Sequence, residues 1–192
     1  MSNALLTRRN TPPRVVVALD IDGCVLPVAL PDAARPSNDR EPGWAYRRCP
    51  ELHFGSIMAE PVLRLLQDLH GADHVDVFWH SSWWTDSWAI NTHFRMPRWP
   101  MLATEGEFLR DEHVLRHGRN IDWKSAAVLR ALDTLGPEDL LVWVDDEIYP
   151  FLERDELTHD FEMHPRLVMV QPETFAGITS HELAQIRAAA RI

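Results

Sequence analysis

Short apolar runs recur along the chain, and each of them predicts a buried β-strand. Within these runs polar and apolar positions do not alternate, which is typical of parallel strands covered on both faces. The predicted strands span 15–19, 75–79, 101–104, 140–144 and 166–171, and the run at 101–104 is the weakest of them.

Between these runs, apolar residues repeat at the spacing of one helix face. The clearest case is 60–70, where Pro61 suits the first turn and Gly71 can end the helix. The other predicted helices span 85–94, 122–135 and 179–190.

Two of these helices carry terminal signals. Asp122 is a candidate cap for 122–135, and the pair Gly136-Pro137 can stop that helix. Thr179 and Glu182 have the spacing of a capping box at the start of 179–190. Strands that alternate with helices predict an α/β sandwich with a mainly parallel sheet.

The organisation along the chain follows from the segments that lack periodicity. We expect 1–13 to be a flexible N-terminal arm and 14–192 to be a single domain. Residues 27–58 contain five prolines and few periodic apolar positions, so they predict an irregular insertion or a minimal cap.

Composition narrows the class of protein. The chain has 192 residues, is 45% hydrophobic and carries a formal charge of -10, which argues against broad binding to DNA or anionic membranes. Its two cysteines form no CxxC pair, and no run approaches the roughly 18 apolar residues of a membrane span. The N-terminus lacks the apolar core of a signal peptide. We therefore expect a cytoplasmic protein without a membrane partner.

Polar residues follow the three strongest predicted strands. Because ligands bind beyond the carboxyl ends of parallel strands, these residues are expected to meet at one edge of the sheet. Four carboxylates placed together oppose one another's ionisation, unless a hard divalent cation such as Mg²⁺ lies among them. The polar residues that follow the strands are Asp20 and Asp22 after the first strand, His80, Ser81 and Ser82 after the second, and Asp145 and Asp146 after 140–144.

This set of residue types suits phosphoryl transfer. One carboxylate of such a site can be a nucleophile, and a second one two residues further on can exchange protons with the leaving oxygen and with water. A hydroxyl and a lysine would hold the phosphoryl group. Ser81 supplies a hydroxyl, and Lys124, at the start of the helix 122–135, is the only lysine among 19 basic side chains.

Four segments, "ALDIDGCV", "FWHSSW", "DWKSAAV" and "VWVDDE", resemble in order the four motifs of the haloacid dehalogenase (HAD) superfamily. The resemblance covers roughly residues 15–150 and implies a Rossmann-like three-layer sandwich. It implies that Asp20 is the nucleophile, Asp22 the general acid/base, Ser81 the second-motif hydroxyl and Lys124 the third-motif lysine.

The same resemblance implies a Mg²⁺ site. Its ligands would be Asp20, the backbone carbonyl of Asp22, Asp145 and Asp146, and which of the last two contacts the metal directly stays open. The second aspartate of the DxD motif, here Asp22, favours phosphatases over dehalogenases, which lack it. The expected reaction is phosphomonoester hydrolysis through an aspartyl-phosphate.

A looser similarity concerns the substrate. "HSSWW", "WVDDEI" and "PETFAGITSHELAQI" are similar to a bacterial and phage HAD subgroup linked to RNA repair, which usually has "TSW" where this chain has "SSW". It implies a nucleotide or nucleic-acid end phosphate as substrate. The alternatives are a small-metabolite phosphatase and a non-catalytic module that binds Mg²⁺ and phosphate.

Several residues near the expected site have two interpretations. Gly23 and Ser82 are candidates for substrate binding, and Ser82 also competes with Ser81 for the role of motif hydroxyl. Trp83 and Trp84 either pack at the rim of the core or form a wall on which a base stacks. His80 is interpreted as a local hydrogen-bonding residue rather than a catalyst.

Overall fold

The computed structural model of the protein describes residues 13–28, 41–48, 57–83, 87–93, 98–103 and 121–192. The described strands are β1 (Val15–Leu19), β2 (Tyr46–Arg48), β3 (Ile57–Ala59), β4 (Val75–Trp79), β5 (Leu140–Val144) and β6 (Leu167–Val170). The described helices are α1 (Glu60–Gly71), α2 (Ser87–His93), α3 (Trp123–Thr134), α4 (Ile148–Arg154), α5 (Thr158–Glu162) and α6 (Ser180–Ala190).

Four strands form one parallel sheet in the order β4-β1-β5-β6. The register pairs Leu19, the last residue of β1, with Trp79 on one side and Val144 on the other. The carboxyl ends of the three strands are therefore level, so the residue that follows each strand reaches the same edge of the sheet.

The two faces of the sheet are buried in two separate clusters. Val15, Val17 and Leu19 point to one face, where α1 and α6 pack. Val16 and Ala18 point to the other face, which α3, α4 and α5 cover. Both faces of β1 are thus apolar, which explains the absence of polar alternation in its sequence. The α/β class and the parallel sheet flanked by helices are confirmed, and the arrangement is compatible with a Rossmann-like fold.

Helix α1 follows the predicted pattern of one apolar face. Its buried residues include Leu65, Leu66 and Leu69, and Pro61 stands in the first turn. Burial of each leucine contributes roughly 1.5–3 kcal/mol, and this attaches α1 to the sheet. The helix runs through Gly71 and ends before Ala72, one residue beyond the predicted end.

The predicted terminal signals of α3 and α6 are confirmed. The Asp122 side chain accepts a hydrogen bond from the backbone N–H of Lys124 at the start of α3. Thr179 and Glu182 form the capping box that opens α6. Helix α2 lies inside the predicted 85–94, whose first two and last residues fall outside the described part of the chain.

The strand predicted at 101–104 is wrong over its described residues. Met101 forms only a single parallel bridge to Trp79, the last residue of β4, and Leu102 and Ala103 are not in a strand. The Trp79 N–H donates to the carbonyl of Pro100, and the Leu102 N–H donates to the carbonyl of Trp79.

The sequence predicts 27–58 to be an irregular insertion or a minimal cap, and the described part of this segment is not irregular throughout. β2 and β3 form an antiparallel pair in which Tyr46 is opposite Ala59. Three-residue strands give too little periodicity to be recognised in sequence. Residues 29–40 and 49–56 of this segment, and the predicted arm 1–13 apart from Pro13, lie outside the described residues.

Two further helices, α4 and α5, have no counterpart in the sequence prediction. They have 7 and 5 residues, and α4 contains Pro150 in its first turn, so neither shows a clear helical period. None of the described helices exceeds 12 residues, and none has the length and hydrophobicity needed to cross a bilayer.

Candidate functional site

Strand ends bring the acidic residues together, as the sheet topology requires. Asp20 follows β1 and its N–H donates to the carbonyl of Val144, while the N–H of Asp145 donates to the carbonyl of Val170. Backbone pairing therefore continues one residue beyond each strand and fixes both aspartates. Their side chains are buried, with 5% of Asp20 and 0% of Asp145 exposed.

Lys124 lies between these two carboxylates. Its Nζ is 2.5 Å from Oδ2 of Asp20 and 2.7 Å from Oδ2 of Asp145. The cap made by Asp122 starts α3 at this point, so Lys124 stands in the first turn and reaches back over the sheet edge. Lys124 is itself buried, which makes an ion pair with both acids necessary, because an unpaired buried charge is costly.

The pKa values reflect this crowding. Burial alone would lower the pKa of Lys124, but Asp20 and Asp145 outweigh it and raise the pKa above its ordinary value. Burial, and then repulsion from Asp20, raise the pKa of Asp145, although Lys124 and the N–H of Glu147 oppose the rise. Lys124 therefore stays charged, and it does not fully offset the burial and the repulsion from Asp20 that raise the pKa of Asp145.

Asp146 adds a third carboxylate to the group. One oxygen each from Asp20, Asp145 and Asp146 lie within 4.8 Å of one another. Burial raises the pKa of Asp146, and a hydrogen bond with Thr174 opposes that rise. With all three carboxylates ionised and Lys124 protonated, the four side chains would carry -2, which is the charge that a divalent cation would neutralise.

Gly23 lies directly against Asp146. Its φ is +68°, and a Cβ at this position would be 2.1 Å from Oδ2 of Asp146. Both the backbone conformation and the close approach exclude a side chain. Gly23 was predicted to bind substrate, and the structure gives it a different part, which is to leave room for the Asp146 carboxylate.

Asp22 lies in the turn that follows β1. The Gly23 N–H donates to the carbonyl of Leu26, and the Leu26 N–H donates to the carbonyl of Ile21, so the turn closes tightly. Asp22 is exposed at its outer side, and its carboxylate is not part of the three-acid group. Desolvation of the carboxyl raises the pKa of Asp22, while a hydrogen bond from Trp83 opposes the rise.

The segment after β4 contains the two serines that compete for the role of motif hydroxyl. At this turn Ser81 is buried, whereas Ser82 is exposed. Oγ of Ser81 accepts a hydrogen bond of 3.4 Å from the N–H of Trp83. Trp83 is partly buried, and Trp84 lies outside the described residues.

His80 has a larger structural role than the sequence indicated. It is fully buried, and its Nε2 lies 3.1 Å from the carbonyl oxygen of Lys124. Because a carbonyl only accepts, Nε2 carries the proton and donates it. Burial and the charge of Lys124 lower the pKa of His80 to about 3, so the ring stays neutral. Its ring also makes edge contacts with Trp123 and Trp143.

Sequence reasoning missed the network that supports Lys124 from α4. Oδ2 of the buried Asp155 accepts a 2.7 Å hydrogen bond from the N–H of Asp122. Arg154 joins the two acids, with Nη2 at 3.2 Å from Asp122 and Nε at 3.1 Å from Asp155. Nζ of Lys124 also lies 5.7 Å from the centre of the Phe151 ring. To predict this network, one would first have to recognise α4 in the sequence. The helix is too short to show a periodic pattern of apolar residues.

Comparisons of the chain with protein-family models, with curated proteins and with solved structures found no match. The function of the site is therefore inferred from its own residues and from the four motifs.

Proposed function

We propose that this protein is a Mg²⁺-dependent phosphomonoester hydrolase of the HAD type, which acts through an aspartyl-phosphate on Asp20. The observation that carries the proposal is the position of Lys124 between Asp20 and Asp145, with Asp146 completing a compact group of oxygens. A buried ammonium beside several carboxylates suits a site that binds and transfers an anionic group.

The residues present fit a hard divalent cation. Asp20, Asp145 and Asp146 offer oxygen ligands at close range, and the glycine at position 23 keeps the space beside Asp146 clear. The backbone carbonyl of Asp22 is the further ligand that the motif implies. When bound, Mg²⁺ would polarise the phosphoryl oxygens and neutralise negative charge.

The chain's own residues divide the chemistry in two steps. A carboxylate oxygen of Asp20 attacks phosphorus, the bond to the ester oxygen breaks, and Asp22 gives its proton to that oxygen. Asp22 then takes a proton from water as the water oxygen attacks phosphorus. The Asp20–phosphorus bond breaks, so phosphate leaves and Asp20 regains its carboxylate. Lys124 and the hydroxyl of Ser81 hold the phosphoryl oxygens in both steps.

The first substrate class is a nucleotide or a nucleic-acid end phosphate. The exposed position of Asp22 and the partly exposed ring of Trp83 support an entrance that admits a large substrate. A small phosphorylated metabolite is the enzymatic alternative. A cytoplasmic location belongs to the same proposal.

A non-catalytic module that binds Mg²⁺ and phosphate is the alternative from another class. Binding alone would need the oxygens of Asp20, Asp145 and Asp146, but it would not need a protonatable group beside them. The presence of Asp22, held in place by Trp83, favours an enzyme.

The direct test is hydrolysis of an aryl phosphate by the purified chain in Mg²⁺ and in EDTA. We expect turnover that requires Mg²⁺ and that falls on the order of 10³–10⁶-fold in Asp20→Asn. Asp160→Asn, an exposed change on α5, is the matched control and is expected to retain wild-type turnover. Turnover that survives both EDTA and Asp20→Asn would contradict the proposal, as would an inactive wild-type chain across a panel of nucleotide, oligonucleotide and sugar phosphates.

A further inference from the structure

The indole of Trp83 makes a direct contact with the exposed carboxyl of the site. Its Nε1 donates a hydrogen bond of 2.7 Å to Oδ2 of Asp22. The Trp83 ring packs against the main core cluster, which fixes the position of the donor. Its backbone N–H also donates to Ser81. One residue thus joins the turn after β1 to the turn after β4.

This contact differs from the role expected of Trp83 in a stacking wall. A base would stack on the face of the ring, whereas the hydrogen bond uses the edge that carries Nε1. An indole N–H can only donate, so Oδ2 of Asp22 is engaged as an acceptor. The other oxygen, Oδ1, is the one left to pass a proton.

We propose that Trp83 is a positioning residue that holds the Asp22 carboxyl in the orientation required for proton transfer to and from Oδ1. This inference rests on the function proposed above, and it adds a residue to which the motifs assign no such role. Asp22 lies on an exposed turn, so its side chain would otherwise sample several rotamers. A carboxyl already oriented towards the substrate avoids that loss of freedom at each turnover.

The expected consequence is a fall in kcat with little change in KM. Proton transfer by a well-placed group contributes roughly 10²–10⁴-fold to rate, and loss of orientation should remove a part of this, about 10-fold. Trp83→Phe keeps an aromatic face for stacking, but it removes the N–H donor together with the five-membered ring that carries it. Trp83→Leu removes both the face and the donor.

The experiment measures kcat and KM for Trp83→Phe and Trp83→Leu with an aryl phosphate in Mg²⁺. A positioning role predicts that both variants lose kcat by a similar factor while KM stays within about twofold of wild type. A wild-type kcat for Trp83→Phe, with KM raised only in Trp83→Leu, would overturn the proposal in favour of stacking.

Trp99→Phe is the matched control. Trp99 also donates from Nε1 to a side chain, Nδ1 of His70, and it is buried in the core, where its ring packs against Trp79. It is expected to retain wild-type kcat. An equal loss of kcat in Trp99→Phe and Trp83→Phe would overturn the proposal, because a general loss of packing would then explain both.

A double-mutant cycle separates action through Asp22 from any other effect of Trp83. In the Asp22→Asn background, Trp83→Phe should cause no further loss of turnover, because the side chain that Trp83 positions can no longer transfer protons. Equal losses in the wild-type and Asp22→Asn backgrounds would contradict the inference. The proposed function would survive that outcome provided that turnover still required Mg²⁺ and Asp20, so the two failures are distinguishable.

Discussion

The two halves of the site are held in opposite ways. The buried half consists of Asp20, Asp145 and Lys124, which are 5%, 0% and 6% exposed and are attached to strand ends and a helix start. The more exposed half consists of the exposed Asp22 and the partly buried Trp83, which lie in turns and are joined by a hydrogen bond between their side chains. Charges that bind a phosphoryl group gain strength from burial, whereas a group that exchanges protons with substrate and water must remain accessible.

The largest expected effect is in the buried half, on removal of the ammonium group. Lys124→Met leaves Asp20 and Asp145 buried without their common partner, and loss of one member of a buried ion pair costs about 3–5 kcal/mol. We expect a fall of this size in the free energy of unfolding, measured by urea titration in EDTA. Mg²⁺ should restore part of it, since a bound cation replaces the lost charge.

The second variant in this series is Lys124→Met combined with Asp145→Asn. It should be more stable than Lys124→Met alone, because one unpaired buried charge is removed. A free energy of unfolding for Lys124→Met within about 0.5 kcal/mol of wild type would show that the ion pairs do not stabilise the buried half.

The next effect is the pH dependence that His80 confers. Its pKa is lowered to about 3 in the folded protein, while the unfolded chain has the ordinary value of 6.5. Below the ordinary value the unfolded state binds a proton that the folded state does not, so the free energy of unfolding decreases as the pH is lowered. Between about pH 8 and about pH 5 the loss should be about 2 kcal/mol.

Unfolding of wild type and His80→Gln at several pH values measures this contribution. The difference in stability between the two proteins should shrink by about 2 kcal/mol over that interval, because glutamine cannot titrate. His159→Gln, an exposed change on α5, is the control for the substitution itself and should stay within about 0.5 kcal/mol of wild-type stability at pH 8. A constant difference between wild type and His80→Gln would contradict burial of a neutral His80 beside Lys124.

A smaller effect is expected at the boundary between the halves, where Gly23 contacts Asp146. Gly23→Ala and Gly43→Ala both place a side chain at positive φ, which costs about 1 kcal/mol of stability in each case. Only at Gly23 would the new Cβ also collide with a carboxylate, since nothing lies within 4 Å of the corresponding atom at Gly43.

Titration calorimetry with Mg²⁺ distinguishes the two alanine variants. Gly23→Ala should bind Mg²⁺ at least about 10-fold more weakly than wild type, a loss of about 1.4 kcal/mol, while Gly43→Ala should bind it normally. Equal affinity in the two variants would show that the space beside Asp146 has no part in metal binding.

The strands and their polar ends were predictable because their signals are local. An apolar run followed by Asp20, or by Asp145 and Asp146, marks both the strand and the edge at which it ends. The cap at Asp122 likewise placed Lys124 in the first turn of a helix. The topology then brings these residues together without further information from the sequence.

The supports of the site were not predictable, because they depend on long-range contacts. The bond from His80 to the Lys124 carbonyl spans 44 positions, and the bond from Asp122 to Asp155 spans 33. The bond from Trp83 to Asp22 spans 61. The sequence showed an aromatic residue beside the site, and either packing or stacking was consistent with it, but only the fold reveals that its Nε1 reaches a carboxyl.

The central claim is tested most directly by trapping the covalent intermediate. Asp22→Asn should form the aspartyl-phosphate slowly and hydrolyse it more slowly still, because the base that activates water is absent. Rapid mixing of this variant with an aryl phosphate in Mg²⁺, followed by acid quench and peptide mass spectrometry, should find one phosphoryl group on the peptide that contains Asp20. The adduct should be absent in EDTA and in Asp20→Asn combined with Asp22→Asn. Mg²⁺-dependent turnover with no phosphoryl group on Asp20, or with the group on another residue, would contradict the account.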